Sequence, residues 1–140
     1  MQVYDWENNL IDFTDCNGVN FYVQIRGNKN IVAGKAGTGK TLMCTRLKEL
    51  RADNIYVAEA DNISKIAEVK DKLIVIDRAD IILDKRTVKI INNDRCNRYL
   101  IFARKPLGIE VTPNYFAEFQ FDYDKRQVTI NYLFDVKGWC

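Results

Sequence analysis

One short segment of the chain, "GKAGTGKT" at 34–41, has the residue types and spacing of a phosphate-binding loop. It matches the pattern G-x-x-x-x-G-K-[ST] at every fixed position. Glycines allow successive backbone N–H groups to turn toward a phosphate, and a helix that starts near Lys40 adds its positive N-terminal dipole. Lys40 would reach the β- and γ-phosphates of a nucleotide, and the Thr41 hydroxyl would contact Mg²⁺.

The predicted nucleotide-binding residues form one continuous run: Gly34, Lys35, Ala36, Gly37, Thr38, Gly39, Lys40, Thr41 and Leu42. The alternative is a glycine-rich turn between a strand and a helix that binds nothing. The context favours phosphate binding, because the apolar run "NIVA" (30–33) precedes the loop and apolar residues at helical spacing follow it.

A second candidate is Asp77, which ends the most apolar strand pattern of the chain, "KLIVID" (72–77). A nucleotide site of this type needs a carboxylate at the end of a neighbouring strand to hold Mg²⁺, directly or through water. We therefore predict that Thr41 and Asp77 form the metal site. The alternative role for Asp77 is the N-cap of a short helix that follows.

Together, "GKAGTGKT" and "LIVIDRAD" resemble the Walker A and Walker B motifs of P-loop NTPases, in particular AAA-like ATPases with an additional strand between the two motifs. The likeness runs from about residue 28 to residue 105 and extends to small P-loop proteins of bacteria and their mobile elements. It implies ATP and Mg²⁺ as cofactors and five parallel strands. It also implies a polar sensor residue near the γ-phosphate, a position that Arg104 occupies here.

The chain departs from this family at the residue after Asp77. AAA-type enzymes usually carry a glutamate there to polarise the attacking water, whereas this chain has Arg78. We therefore expect Asp80 or Glu59 to be the catalytic base. The predicted catalytic residues are Lys40, Asp80, Glu59 and Arg104. The helical lid of that family is absent, and the missing N-K-x-D signature favours ATP over GTP.

The periodicity of apolar residues predicts an α/β fold. Strands are expected at 10–13, 19–27, 30–33, 54–60, 72–77 and 98–104, helices from residue 40, around 63–69 and at 86–94, and a hairpin at 115–134. This order predicts a P-loop NTPase core, in which helices cover both faces of a mainly parallel sheet and β-hairpins are added at the two termini.

The length of 140 residues and the composition, 47% hydrophobic and 29% charged, predict one globular domain over 1–140. A polar, acidic N-terminus and the lack of a long apolar run predict a cytoplasmic protein without a membrane partner. Four separated cysteines without any histidine disfavour a zinc site and exclude Ser-His and Cys-His nucleophile pairs.

Two further residue groups have alternative interpretations. Basic residues are concentrated between 85 and 105. We favour the interpretation that they form a solvated face, with their charge balanced by Asp80, Asp84 and Asp94, over a surface that binds nucleic acid or an acidic protein. They are Lys85, Arg86, Lys89, Arg95, Arg98, Arg104 and Lys105. For the aromatic residues of the C-terminal hairpin segment, we favour packing in the core and within the hairpin over a platform on which nucleic-acid bases stack. They are Phe116, Phe119, Phe121, Tyr123, Tyr132 and Phe134.

The sequence thus predicts an ATPase that binds Mg-ATP and hydrolyses it slowly. A nucleotide-gated module that binds a protein partner is the alternative, in which ATP orders the 104–114 loop. A small-molecule kinase is the second alternative. The sequence leaves the oligomeric state and the identity of any protein partner open.

Overall fold

Nine strands form one continuous sheet in this protein, for which we describe a computed structural model over residues 3–33, 39–104, 107–110 and 116–133. The strands are β1 (Tyr4–Asp5), β2 (Leu10–Thr14), β3 (Asn20–Gln24), β4 (Lys29–Ala33), β5 (Ile55–Ala58), β6 (Leu73–Ile76), β7 (Arg98–Phe102), β8 (Phe116–Asp122) and β9 (Gln127–Tyr132). The helices are α1 (Lys40–Leu50), α2 (Ala79–Ile82), α3 (Lys85–Asn93) and a 3₁₀ helix (Ile63–Glu68).

The sheet has the strand order β1-β2-β3-β9-β8-β4-β7-β6-β5. From β8 to β5 all neighbours are parallel, and β7 lies between β4 and β6. β1 and β2, β2 and β3, and β8 and β9 pair antiparallel. β9 pairs parallel with β3, and this pair joins the N-terminal strands to the rest of the sheet.

The burial pattern of each strand follows from its place in the sheet. All residues of β6 are buried, because packed layers cover both of its faces, as is usual for parallel strands. β2 and β3 alternate buried and more exposed residues, because one face meets the core and the other meets solvent. Their register pairs Phe13 with Phe21, and the two rings stack at 4.8 Å between centroids.

Two apolar cores lie on opposite faces of the sheet. On one face, Met43 and Leu47 of α1 pack among inward residues from β1 to β9. On the other, Ile66 of the 3₁₀ helix and Ile91 of α3 pack against β4, β6 and β7. Each fully buried side chain of this size contributes about 1.5–3 kcal/mol to the free energy of unfolding.

The two ends of the strand order approach one another, so the sheet is nearly closed around α1. The side-chain amide of Asn54, just before β5, donates to the Tyr4 carbonyl oxygen of β1 at 2.6 Å. Arg98 donates to the Tyr4 hydroxyl at 2.9 Å, and its guanidinium lies 3.9 Å from the Trp6 ring centroid. Arg46 ties α1 to the turn between β2 and β3 through Asp15 at 3.2 Å.

These observations correct the predicted fold class. The prediction of a P-loop NTPase core, with hairpins as terminal additions, is wrong: the described chain is mostly strand, in one mixed sheet of nine strands with few helices. The two longest helices have 11 and 9 residues. The physical reason is the pairing of β9 with both β3 and β8, which makes the hairpins part of the sheet wall around α1.

The predictions of individual elements are confirmed. Strands occur in each expected segment, the tail forms an antiparallel hairpin, and helices begin at Lys40 and Lys85. The segment around 63–69 is a 3₁₀ helix that ends at Glu68. Local periodicity was sufficient for these elements because each is defined by residues close in the chain.

Candidate functional site

The predicted site residues that the structure describes lie at one edge of the sheet, where four parallel strands end. β4, β7, β6 and β5 are neighbours with the same direction, so their carboxyl ends lie along one edge. Glu59 follows β5, Asp77 follows β6, Arg104 follows β7 and α1 begins at Lys40. In open parallel sheets and in closed parallel barrels alike, ligands bind at the carboxyl ends of the strands. We call it the carboxyl edge.

The structure describes only the second half of the predicted phosphate-binding loop. Gly34, Lys35, Ala36, Gly37 and Thr38 lie outside the described residues, so their predicted role stays a prediction. Gly39, Lys40, Thr41 and Leu42 are described. Lys40, Thr41 and Leu42 form the first turn of α1, and Gly39 is its N-cap.

Gly39 is required by both its backbone and its surroundings. Its φ of 98° lies in the left-handed region, which favours glycine. A Cβ atom built at this position would lie 2.9 Å from the Cγ2 atom of Val128, a fully buried residue of β9. The tail hairpin thus packs directly against the start of α1, a long-range contact that the sequence pattern did not reveal.

The N-terminus of α1 provides a positive electrostatic pole at the carboxyl edge. The first turn contains no acidic residue, and the N-cap makes no side-chain hydrogen bond. Thr41 is exposed in this turn, and its carbonyl oxygen accepts a hydrogen bond from the Thr45 hydroxyl at 3.0 Å. The unpaired amides and the dipole of a helix N-terminus attract anions, phosphate included.

Three charged side chains interact at this pole. Partial burial lowers the pKa of Lys40, the positive charge of Arg104 lowers it further, and the Asp77 carboxylate acts in the opposite direction. Lys40, Asp77 and Arg104 are therefore close enough to influence one another electrostatically. The structure brings together the predicted phosphate-binding lysine, the predicted metal carboxylate and the predicted sensor residue.

Cys44 lies one turn further along α1 and is buried. Burial raises the pKa of its thiol well above the usual value, and the carboxylates of Asp77 and Glu59 add to the effect. The thiol therefore stays protonated at neutral pH, which makes Cys44 a packing residue and not a nucleophile.

Asp77 sits at a strained junction between β6 and α2. One of its carboxylate oxygens accepts the N–H of Arg78 at 2.9 Å. Arg78 has a φ of 53°, in the left-handed region, and it is the N-cap of α2, without a side-chain cap hydrogen bond. The alternative role of Asp77 as an N-cap is therefore wrong, because the helix starts one residue later.

The two candidate bases have different partners. Glu59 pairs with Lys48 of α1 at 2.7 Å. Lys48 lies two turns, about 12 Å, beyond Lys40 along the helix axis, at 1.5 Å per residue. Asp80 accepts the backbone N–H of Arg104 at 3.1 Å and thus lies at the end of β7. The two carboxylates thus have different surroundings: Glu59 forms an ion pair with α1, and Asp80 lies beside the Arg104 backbone.

A metal ion at this edge would depend on few protein ligands. Within the described ranges, no group of three or more Cys, Asp or Glu side chains is placed to hold a metal ion. Thr41 and Asp77 provide one hydroxyl and one carboxylate, which suits Mg²⁺, because Mg²⁺ bound with phosphates keeps several waters and needs one or two carboxylates. The residues present fit this kind of site.

The basic residues between 85 and 105 do not form one surface. Arg98 contacts Tyr4 and Trp6, and Arg104 belongs to the carboxyl edge. Arg86, Lys89 and Arg95 lie around a cavity beside α3. Lys105 lies outside the described residues, as does much of the 104–114 loop.

The aromatic side chains of the tail mainly serve packing, as predicted. Phe119 is buried and contacts Phe102 edge to face, with 5.2 Å between ring centroids. The Tyr132 hydroxyl donates to Asn30 at 2.5 Å. Phe121 and Tyr123 contact one another at 4.8 Å, and Tyr123 is largely exposed. Phe134 lies outside the described residues.

Comparison with models of known protein families, with curated proteins and with solved structures gave no match for this chain. None of the helices in the described part of the chain is long and apolar enough to cross a membrane.

Proposed function

We propose that this protein binds ATP with Mg²⁺ at the carboxyl edge and hydrolyses it slowly. The observation that carries the proposal is the placement of Lys40 in the first turn of α1, at the same ends of the parallel strands where Asp77 follows β6 and Arg104 follows β7. An ammonium, a guanidinium and a helix N-terminus together favour a polyphosphate, and the carboxylate favours the cation that accompanies it.

Each residue has a distinct role in this proposal. Lys40 contacts the β- and γ-phosphates, and amides of the first turn of α1 donate to phosphate oxygens. Thr41 and Asp77 hold Mg²⁺, which neutralises phosphate charge when it is bound. Arg104 stabilises negative charge that develops on the γ-phosphate during transfer.

Slow turnover follows from how the candidate bases are held. Glu59 is paired with Lys48, and Asp80 accepts a backbone N–H of Arg104. Positioning of the attacking water is a large part of phosphoryl-transfer catalysis, so a base already engaged in such contacts activates water poorly. We expect fewer than about one turnover per second, the lower end of the range typical of kinases.

A nucleotide-gated binding module with little turnover is the second candidate. The hydrogen bond from the Arg104 backbone to Asp80 connects the end of β7 to α2. α2 carries Ile81, whose side chain is 77% exposed. A γ-phosphate that contacts Arg104 would therefore shift α2 and the surface around Ile81, where a protein partner would bind.

Calorimetry with ATP and Mg²⁺ tests the proposal. The wild type should bind ATP, and Lys40→Ala should weaken affinity by about 10- to 100-fold, because a charge-assisted hydrogen bond contributes about 1.5–3 kcal/mol. Lys70→Ala, at an exposed position before β6 and thus at the opposite end of the parallel strands, is the control and should bind as the wild type does. Absence of ATP and GTP binding at millimolar concentrations by the folded wild type would overturn the proposal.

Phosphate release then separates the candidates. Hydrolysis without an acceptor supports the ATPase, and tight binding without turnover supports the gated module. Turnover that requires an added acceptor would support a small-molecule kinase.

A cytoplasmic location is part of the proposal, since Cys16, Cys44 and Cys96 are free thiols, as is usual in reducing compartments.

A further inference from the structure

A cavity of about 560 Å³ lies at the other end of the parallel strands, between the 3₁₀ helix and α3. Its lining includes Val69 and Lys70, which precede β6, and Arg95 and Cys96, which precede β7. It is therefore separated from the carboxyl edge by the length of the strands. We call it the amino-end groove, and it has no part in the proposed nucleotide site.

Four cationic side chains line the amino-end groove: Lys70, Arg86, Lys89 and Arg95. All four residues are exposed. Within the described residues, no ion pair shorter than 4 Å joins any of them to a carboxylate. Their charge is therefore available to a partner that enters the groove.

Asp94 is the one acidic residue in this lining, and its carboxylate is hydrogen-bonded to neighbouring groups of the protein. It accepts hydrogen bonds from the Tyr99 hydroxyl at 2.5 Å, the Asn97 side chain at 2.7 Å and the Cys96 N–H at 2.8 Å. Burial tends to raise the pKa of Asp94, but these hydrogen bonds outweigh burial and lower it. The groove consequently has a net positive charge.

The floor of the groove is aliphatic. Ile66 is 1% exposed, and Val69 and Ile90 are partly buried beside it. The lining contains no aromatic side chain. A nucleic-acid backbone would use the cations but not this floor, and its bases would find no ring on which to stack. An apolar side chain flanked by carboxylates would use both.

We propose that the amino-end groove binds an acidic segment of a partner protein, with an apolar side chain on the Ile66 floor and flanking Asp or Glu residues against the surrounding cations. The cavity volume is within the range of pockets that enclose small ligands, so it accommodates one or two large side chains. The affinity should fall as salt rises, because exposed charges are screened.

Fluorescence anisotropy with labelled peptide pools tests this proposal on the whole protein. The pools carry Asp and Glu at fixed flanking positions and every residue at two central positions. We expect binding by pools with Leu, Ile or Phe at the centre, and at least tenfold weaker binding by pools with Gly or Ser there. Pools with Lys at the flanks should not bind.

Matched variants locate the interaction. The double variant Lys89→Glu, Arg95→Glu should weaken peptide binding at least tenfold, whereas Lys65→Glu, Lys125→Glu makes the same charge change at exposed positions outside the lining and should have little effect. Lys70→Gln, Lys89→Gln provides a milder second test if the first variant fails to fold.

Three results would overturn the proposal. They are no binding by any acidic pool, binding that does not depend on the central apolar residue, and equal losses in the groove and control variants. Tighter groove-dependent binding of a single-stranded oligonucleotide would assign the surface to nucleic acid instead. ATP binding by the wild type does not depend on the result of the peptide experiments. The failure of one proposal is therefore distinguishable from the failure of the other.

Discussion

The two ends of the parallel strands use charged and polar side chains in different ways. At the amino end, Asp94, Asn97 and Tyr99 form a network whose members satisfy one another, and Lys29 donates to the Asn92 carbonyl oxygen of α3 at 3.1 Å. At the carboxyl end, the carboxylates of Asp77 and Asp80 accept backbone N–H groups, and Asp77 acts electrostatically on Lys40.

The contrast separates stability from binding. A buried network contributes to stability because removal of one member leaves the others without partners in a region of low dielectric constant. Charges at a strand edge contribute little to folding but interact strongly with an ion that enters. Substitutions in the network of Asp94, Asn97 and Tyr99 should therefore change stability, and substitutions of Lys40, Asp80 and Arg104 should change nucleotide binding and turnover.

The largest expected effect concerns turnover. Asp80→Asn should reduce ATP hydrolysis by about 100-fold, because an amide cannot accept the proton; this is the lower end of the roughly 10²–10⁴-fold that a general base contributes, since Asp80 is already engaged by a backbone N–H. Its oxygen still accepts the Arg104 N–H, so ATP affinity should change little. Steady-state phosphate release measures this change.

Glu59→Gln is the matched comparison, because Glu59 is held toward Lys48. It should retain most of the turnover of the wild type. If Glu59→Gln is inactive and Asp80→Asn is active, the roles of the two carboxylates are reversed.

At the amino end, Asp94→Ala should lower the free energy of unfolding by about 3 kcal/mol, because it leaves the hydroxyl of Tyr99 and one of the two side-chain N–H groups of Asn97 without an acceptor. Urea denaturation measures the loss. ATP affinity, determined at a temperature where the variant is folded, should equal that of the wild type. A loss of affinity without a loss of stability would contradict the separation of the two ends.

The same network predicts a pH dependence of stability. The pKa of Asp94 is lowered in the folded protein, so its contribution is present above the pKa of the unfolded chain and is lost as pH falls through the folded pKa. The stability difference between the wild type and Asp94→Asn should therefore be largest near neutral pH and smaller in acid. Denaturation curves from pH 7 downward test this, and a difference that grows in acid would refute it.

Arg104→Ala should weaken ATP affinity by about tenfold, equivalent to about 1.4 kcal/mol, because it removes one cation from the γ-phosphate region. Arg86→Ala removes an arginine from the other end and should leave ATP affinity unchanged. Calorimetry on the two variants compares the ends directly. Equal affinities for Arg104→Ala and the wild type, with unchanged turnover, would remove Arg104 from the site.

The smallest expected effect is at Arg78, which carries left-handed backbone strain at the carboxyl edge. Arg78→Gly should raise the free energy of unfolding by up to about 1 kcal/mol, since glycine adopts this conformation without a steric penalty. Arg78→Ala keeps the Cβ atom and should give no gain. Thermal unfolding of the two variants distinguishes relief of strain from loss of the charged side chain.

Much of the site could be predicted because its parts are local. The glycine, lysine and threonine order of the loop predicts the helix start at Lys40, and an unbroken apolar run predicts that Asp77 follows a buried strand. The partners of the candidate bases could not be predicted. Glu59 contacts Lys48 and Asp80 contacts Arg104 only because separate strands and helices are packed side by side.

The sequence by itself determined the strands, the helices and the residue types at the carboxyl edge, because hydrophobic period and adjacency act over a few residues. The tertiary structure alone decided that the hairpins join one nearly closed sheet and that the basic residues divide between two ends of the molecule. Pairings such as Phe21 with Val128, and contacts such as Asn54 with Tyr4, join distant parts of the chain. They form only when the whole core excludes water, so no local pattern carries them.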